Sequence, residues 1–487
     1  MAPQVGTLLA SGSRVSVRYT REYTRGATPA GVGTPVTNVA TEAVPTYSPY
    51  DTTGYSEVTR GTGSFIDDGF YPGQTARLSG FIPPTINGDY KIAAVPAGDT
   101  IILVDPNAVI GTDSAVTANT VQIVLKKLRT TGRNINLEKN VLESEEVDED
   151  GQVTDVRHGF NRVVGSPGFQ LSLYDYDDFI EFFLTGTWVT PAPGSLTFTL
   201  GPDPVAFTGS NLITNGIRPG DIIRTADGKD VRILTITAEG TGTAANPVGD
   251  PIASVDNGAA TFPGSRMDLT PGLLTFLMER AFTDVDQYQV FNGCTVNTMQ
   301  MTVSPEAIIN GTFDVLGMSA AALSGTQANG VGVTPVEASG STPFAAFDGS
   351  IFEGGTLIGV VTSMDFSLER NRSLNPVVGS KFSPDVFEGT ARGTGTVSAY
   401  FQDATLFNRF ANEEESSVWN KFQDPADSTN FMNIVFPRVK YTGANIDPPQ
   451  EGPIVMEMPF QPLKATGLAA PGGLTVNTMM TIQRSNS

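Results

Sequence analysis

Between Gly165 and Trp188 the chain reads GSPGFQLSLYDYDDFIEFFLTGTW, and its apolar residues change spacing partway along. Phe169, Leu171 and Leu173 alternate with their neighbours, the period of a strand with one buried face. Phe179, Ile180 and Phe183 then fall at i, i+1 and i+4, one apolar stripe on a short helix, with Asp177 near its start able to cap free amides. A strand running into a small amphipathic helix is predicted. The same pattern returns in RGTGTVSAYFQDATLFNRFANEEE, Arg392 to Glu415. There Val397, Ala399 and Phe401 alternate, Leu406, Phe407 and Phe410 make the stripe, and Asp403 takes the capping place. Aligned on Gly168 and Gly395, the helices agree and the strands stand one residue out of register, which a bulge or a one-residue gap would reconcile.

The likeness extends on both sides. RNINLEKNVLES, from Arg133, resembles MDFSLERNRSLN, from Met364, and the glycines of DVRHGFNRVVGS, from Asp155, sit opposite those of DVFEGTARGTGT, from Asp385. LTFLMERAF (Leu274 to Phe282) resembles MNIVFPRVKY (Met432 to Tyr441), each a strand with one arginine. Three pairs in one order indicate a duplication. A second, smaller repeat lies in the gaps: FIDDGFYPGQTARLSGF (Phe65 to Phe81) resembles LITNGIRPGDIIRTADG (Leu212 to Gly228). Its shared Pro-Gly suits a type II turn, because glycine adopts positive φ at the second central position without strain. Short strands follow each copy, so these read as two small β modules set into loops of the larger units. The stretch 326–355, rich in Gly, Ser, Thr and Pro, reads as a linker. The expected organisation is a first large domain from 1–56, 126–194 and 269–325, modules at 57–125 and 195–268, the linker, and a second large domain at 356–487.

Composition narrows the possibilities. The 487 residues include 52 glycines and 33 prolines and show no long helical periodicity, so the chain is expected to be mainly β. The net charge is −21, the wrong sign for a protein that grips phosphate. A lone cysteine, Cys294, excludes an intramolecular disulfide and a cysteine-based zinc site. The opening MAPQVGTLLASGSRVSVRYTREYTRG lacks the apolar run of a secretory signal, and no segment has the roughly 18 apolar residues of a membrane span. An aqueous compartment is expected.

The densest cluster of titratable groups is ESEEVDEDGQVTDVRHGF, which places Glu143, Glu145, Glu146, Asp148, Glu149, Asp150 and Asp155 beside the chain's single histidine, His158. An EF-hand started at Glu146 sets Asp148, Asp150 and Gly151 correctly but puts Arg157 where the bidentate glutamate belongs. Nucleophilic catalysis would have to use His158, and nothing around it resembles a nucleophile turn. Paired carboxylates of a glycosidase need an aromatic cleft, and the two tryptophans, Trp188 and Trp419, each follow a predicted helix where packing accounts for them. GFYPGQTAR lacks the ending of a phosphate loop. No catalytic residues, cofactor or metal are expected.

From Arg129, RTTGRNINLEKNVLESEEVDEDGQVTDVRHGFNRVVGSPGFQLSLYDYDDFIEFFLTGTW resembles the major tail tube proteins of long, non-contractile phage tails. GSRVSVRYTREYTRGATPAG near the start, VTSMDFSLERN and GTGTVSAYFQD also resemble that family. The resemblance implies a duplicated β-sandwich with short flanking helices, whose inner strands close into one β-barrel when chains assemble into rings. Stacked rings would form the tube through which double-stranded DNA leaves the capsid, in a virion tail built around a tape-measure protein and closed by terminator and tip proteins. The protein would reside in the host cytoplasm before assembly. Since the family's rings commonly hold six sandwiches, two per chain imply a trimer with pseudo-sixfold symmetry; a homohexamer is the alternative. The acidic run loses its carboxylates in the second copy, so it is expected on a hairpin that lines the lumen or meets the next ring. A head-decoration or tail-tip adhesin is the competing function.

Overall fold

In this computed structural model the described residues are 10–485, apart from 23, 45–53, 106–108, 111–112, 146–151, 154, 200–203, 246–255, 354–355, 358–360, 403, 425–426, 428, 447 and 466–476. The chain is mainly β, as its alternation predicts, with one branched sheet of nineteen strands and two six-stranded modules. Both predicted helices form: α1 is Asp177–Leu184 and α2 is Thr405–Ala411. Neither has a side-chain cap. The residue before α1 is Tyr176, and Asp177 instead pairs with Arg484 at 2.6 Å; Asp403 lies outside the described residues.

The register difference between the copies has a local cause. In the first, strand structure stops at Gln170 and the chain turns through Tyr174 at φ +67°, so Leu171 and Leu173 reach the core from a turn. In the second, the strand runs unbroken from Arg392 to Tyr400. The third sequence pair is corrected by topology. Phe276–Phe282 lies between Val15–Arg21 and Gln287–Val303, whereas Phe431–Tyr441 pairs with Glu415–Gln423, Val455–Pro462 and Thr481–Arg484. Its counterpart by position is Glu415–Gln423, which lies between Gly349–Glu353 and Phe431–Tyr441.

Within the large sheet, eight strands follow one another without a break. Their order is Ile135–Glu143, Val156–Gly165, Asn310–Gly317, Gln287–Val303, Val361–Glu369, Arg392–Tyr400, Val455–Pro462 and Asn445–Ile446, all antiparallel. Four come from each copy. One core of aromatic, aliphatic and methionine side chains runs through both copies. Seven of the eight residues of α1 are buried in or beside it, with Phe182 stacked on Phe276 at 4.4 Å between centroids. Each buried Phe contributes on the order of 2–3 kcal/mol by area.

The modules share one topology. Val36–Val44, Tyr55–Arg60, Thr100–Val104, Gly88–Ala97, Thr75–Ser79 and Asp113–Val124 close into a barrel in that order. Gly194–Phe198, Val205–Thr208, Thr241–Ala245, Asp230–Ala238, Ile222–Arg224 and Asp256–Ala260 follow the same order, and a bridge between Arg224 and Thr261 joins the two ends. The shared Pro-Gly turn holds Gly73 at φ +89° and Gly220 at φ +93°, the conformation the sequence requires. The first barrel reaches back to Val36, into the part of 1–56 assigned by sequence to the large domain, because closing it takes a strand that pairs with both Tyr55–Arg60 and Asp113–Val124.

The Gly/Ser/Thr-rich stretch is a fastened strap. Asn329 is fully buried; its Oδ1 accepts from the Leu125 amide and its carbonyl from Gln122, both at 2.7 Å. Val336 accepts from Lys127, and Ser339 donates to Asp175 through both its amide and its hydroxyl. The strap ends in Gly349–Glu353, a strand paired with Glu415–Gln423, so the second copy's sheet begins before residue 356. Side chains and single backbone bridges, such as Val336 with Leu125 and Phe344 with Leu171, satisfy the strap's backbone, which leaves no strand period to read.

Candidate assembly surface

The two copies of the repeat are joined by a continuous strand ladder. Thr298–Val303 of the first copy pairs in register with Met364–Glu369 of the second, from Thr298 opposite Glu369 to Val303 opposite Met364. Just past this ladder, Arg370 and Arg372 cross back into the first copy. Arg370 donates to the carbonyls of Thr270 at 2.9 Å and Gly272 at 3.2 Å. Arg372 donates to the carbonyl of Val296 at 2.6 Å and reaches those of Phe182 and Gly272. Two cations thus face the C-terminal turn of α1, where the helix dipole and unpaired carbonyls favour positive charge. Burial, and then the neighbouring Arg370, bring the Arg372 guanidinium down to about 9, so its place rests on those carbonyls. Nothing in the sequence reading singled out this pair. The available signal was ERNR, two arginines two apart at a strand end, which places both on one face.

A hairpin adds a second contact. The short strands Ser373–Leu374 and Val386–Phe387 carry the loop between them onto the first copy. The Asn161 amide donates to Lys381 O at 2.8 Å, at the register shift between His158 and Asn161. Arg25 pairs with both oxygens of Asp385, at 3.0 and 2.7 Å.

The acidic stretch occupies the matching hairpin of the first copy. Glu143 ends one strand and lies opposite Val156, which begins the next, with the Ser144 amide donating to Asp155 O at 3.0 Å. Glu143, Glu145 and Asp155 are exposed, and Asp155 pairs with Arg157 at 2.9 Å. Glu146, Asp148, Glu149 and Asp150 lie outside the described residues. His158 is exposed on the same hairpin, and Cys294 is buried, its thiol pushed well up by burial. Among the described residues, no group of three or more His, Cys, Asp or Glu side chains is placed to hold a metal. Nor is any helix among them long and apolar enough to cross a membrane.

Charged side chains fasten the modules to this frame. Asp178, buried in the first turn of α1, accepts from Lys126 at 2.7 Å, from Tyr19 at 3.0 Å and from Lys91 of the first barrel at 3.5 Å. Burial opposes its charge, yet Lys126, Lys91 and Arg21 together hold its carboxyl well below the ordinary range. Asp177 beside it is pushed upward, because there burial outweighs Arg484. On the second module Arg232 is buried over Phe352 at 4.5 Å and Trp419 at 5.4 Å, and its Nη atoms make no hydrogen bond. Burial lowers it to about 9.

Comparison with known proteins agrees with this architecture. No curated protein matches the chain. A family model described as phage tail tube protein matches residues 97–470, well over half of the sequence. This mainly β chain therefore belongs to the phage tail tube protein family.

Proposed function

We propose that this chain assembles side by side into closed rings, and that stacked rings form the conduit for double-stranded DNA in a phage tail. The observation that carries the reading is the unbroken eight-strand run, which already joins two copies of one unit and keeps a strand edge at either end. Three such chains give a ring of six units with pseudo-sixfold symmetry. Closure pairs the free edges, which would otherwise template aggregation. The barrels fasten chiefly to α1 and to strands outside the run, such as Val15–Arg21 and Glu415–Gln423, which supports placing them on the outside of the tube. The tape-measure protein, terminator and tip proteins are the expected partners in the virion, with the chain held in the host cytoplasm before assembly.

The charge suits a passage that must not bind its cargo. A net charge of −21 offers phosphates no counterion-release gain, and beyond a Debye length of ~8 Å the repulsion is screened enough to let DNA slide. The role is structural and requires no catalysis. Helical reconstruction of purified tubes tests it, with native mass spectrometry of the ring. Three chains per ring are expected; six chains per ring would refute two tube units per chain, and particles that bind cells without forming tubes would refute the tube.

A further inference from the structure

The internal joint predicts the external one, because each of its parts has a counterpart on the chain's outer edges. Through the sequence match that sets Arg133 opposite Met364, Ile135 and Leu137 stand where Phe366 and Leu368 stand in the paired strand. Among the described residues, Ile135–Glu143 pairs on one side only, with Val156–Gly165. At the far end of the run, Asn445–Ile446 pairs on one side only, with Val455–Pro462. By its place beside that strand, the segment from Tyr441 to Ile446 corresponds to the part of Gln287–Val303 that receives Met364–Glu369.

The side chains differ between the two joints in a consistent way. The position of Arg372 is taken by Val141, and Leu142 follows; they are 54 % and 59 % exposed. Arg372 faces the end of α1, which is buried. The matching helix α2 presents Phe407, 38 % exposed, with Leu406 and Phe410 half-buried. Of the two arginines on helix carbonyls inside the chain, Arg372 is thus replaced outside it by an apolar side chain against an apolar helix face, while Lys139 keeps a cation at the position of Arg370.

The hairpins correspond as well. Asp155 matches Asp385, and Asn161, which receives the internal hairpin, matches Ala391. Next to Ala391 stands Arg392, an exposed cation.

Resting on the tube reading above, we infer that the edge Ile135–Glu143 adds antiparallel to Tyr441–Ile446 of a second copy in the same ring, with Val141 and Leu142 against its α2. The base of the acidic hairpin then lies over the second copy's Arg392. This takes that base to the lateral joint, and away from the lumen and the ring-to-ring contact. At the internal joint the matching cation, Arg162, is already paired with Glu138 at 3.0 Å, and Asp385 of the hairpin turns to Arg25 instead.

Engineered disulfides test the joint, helped by the burial of the native Cys294. Glu138 and Thr442 are exposed, so E138C is combined in one chain with T442C, A444C or I446C, and assembled tubes are oxidised and dissolved in detergent. At least one pairing should release covalent rings of a single size. Tubes that assemble normally yet release only single chains from every pairing would overturn the inference and leave the tube reading intact. Ladders of indefinite length would overturn it too, since they mark contacts between rings. Wild-type chain that forms no tube would refute the tube reading and this joint together. As a second arm, V141D/L142D should keep the wild-type circular dichroism spectrum and lower ring yield by about tenfold or more, the effect of losing a central apolar contact. Unchanged yield would refute the apolar match.

Discussion

Replacing Arg232 by methionine should stabilise the protein. Its guanidinium lies buried between the second module and the second copy of the repeat, with no hydrogen bond from either Nη among the described residues. The drop from the ordinary arginine range to about 9 corresponds, at about 1.4 kcal/mol per pH unit, to about 5 kcal/mol of burial cost for the cation. The Phe352 and Trp419 rings return about 2–4 kcal/mol between them at desolvated cation–π strength. The balance is a net cost of about 1–3 kcal/mol at neutral pH. Methionine fills similar space and keeps a favourable sulfur contact with both rings. R232M should therefore raise the free energy of unfolding by about 1–3 kcal/mol. The sign with pH follows from the lowered value: the folded state binds this proton more weakly, so the cost is complete at pH 7 and falls as pH rises above about 9. The assay is urea unfolding of the unassembled chain, followed by Trp419 emission in a W188F background, which leaves one tryptophan at the contact. A loss of more than about 1 kcal/mol in R232M would refute the reasoning, since the arginine would then be making an interaction stronger than two aromatic faces.

Three further outcomes follow from the same bookkeeping of buried charge and backbone geometry. D178N removes the anion that Lys126, Lys91 and Tyr19 share, and should cost about 3–5 kcal/mol in urea unfolding at pH 7. Because the folded Asp178 carboxyl is held low, that contribution is complete above its ordinary value of 3.8 and is lost as pH falls below it, so mutant and wild type should converge in acid. G220A places a side chain at φ +93° and should cost about 1–2 kcal/mol; G73A should cost more, since its new methyl would also press on the Arg21 guanidinium. R370M/R372M should leave each half folded but loosen their joint, read as faster proteolysis within 326–348, while unchanged cleavage would show that the strand ladder alone holds it.

Local patterns were legible in the sequence, and partnerships were not. The stripe Phe179, Ile180 and Phe183 specified α1 because helical spacing is written within one turn, and Pro-Gly marked both module turns because few residues tolerate their φ. The first barrel's opening strand, Val36–Val44, carries no comparable mark and falls within the large domain by sequence. Alternation says that Phe276–Phe282 and Phe431–Tyr441 are strands, but not which neighbour each takes, which is how two non-equivalent strands came to be matched. Asp177 and Asp178 look like helix caps by position, and only the fold brings Arg484, Lys126 and Lys91 to them. Likewise the acidic hairpin's form was readable, but its surroundings depend on a strand edge that a single chain leaves open.

In the proposed ring, joining two units in one chain changes how the ring is built as well as its shape. The contact between Thr298–Val303 and Met364–Glu369 forms on folding, at an effective concentration fixed by the strap, in the millimolar range for short tethers. A contact between chains forms only as fast as chains meet. If three chains close a ring, half of its six contacts are complete before any encounter, and the remaining three can be individually weak. Freshly made chains could then stay apart in the cell and commit to a ring only when a template gathers them, so polymerisation would begin where the tail is being built.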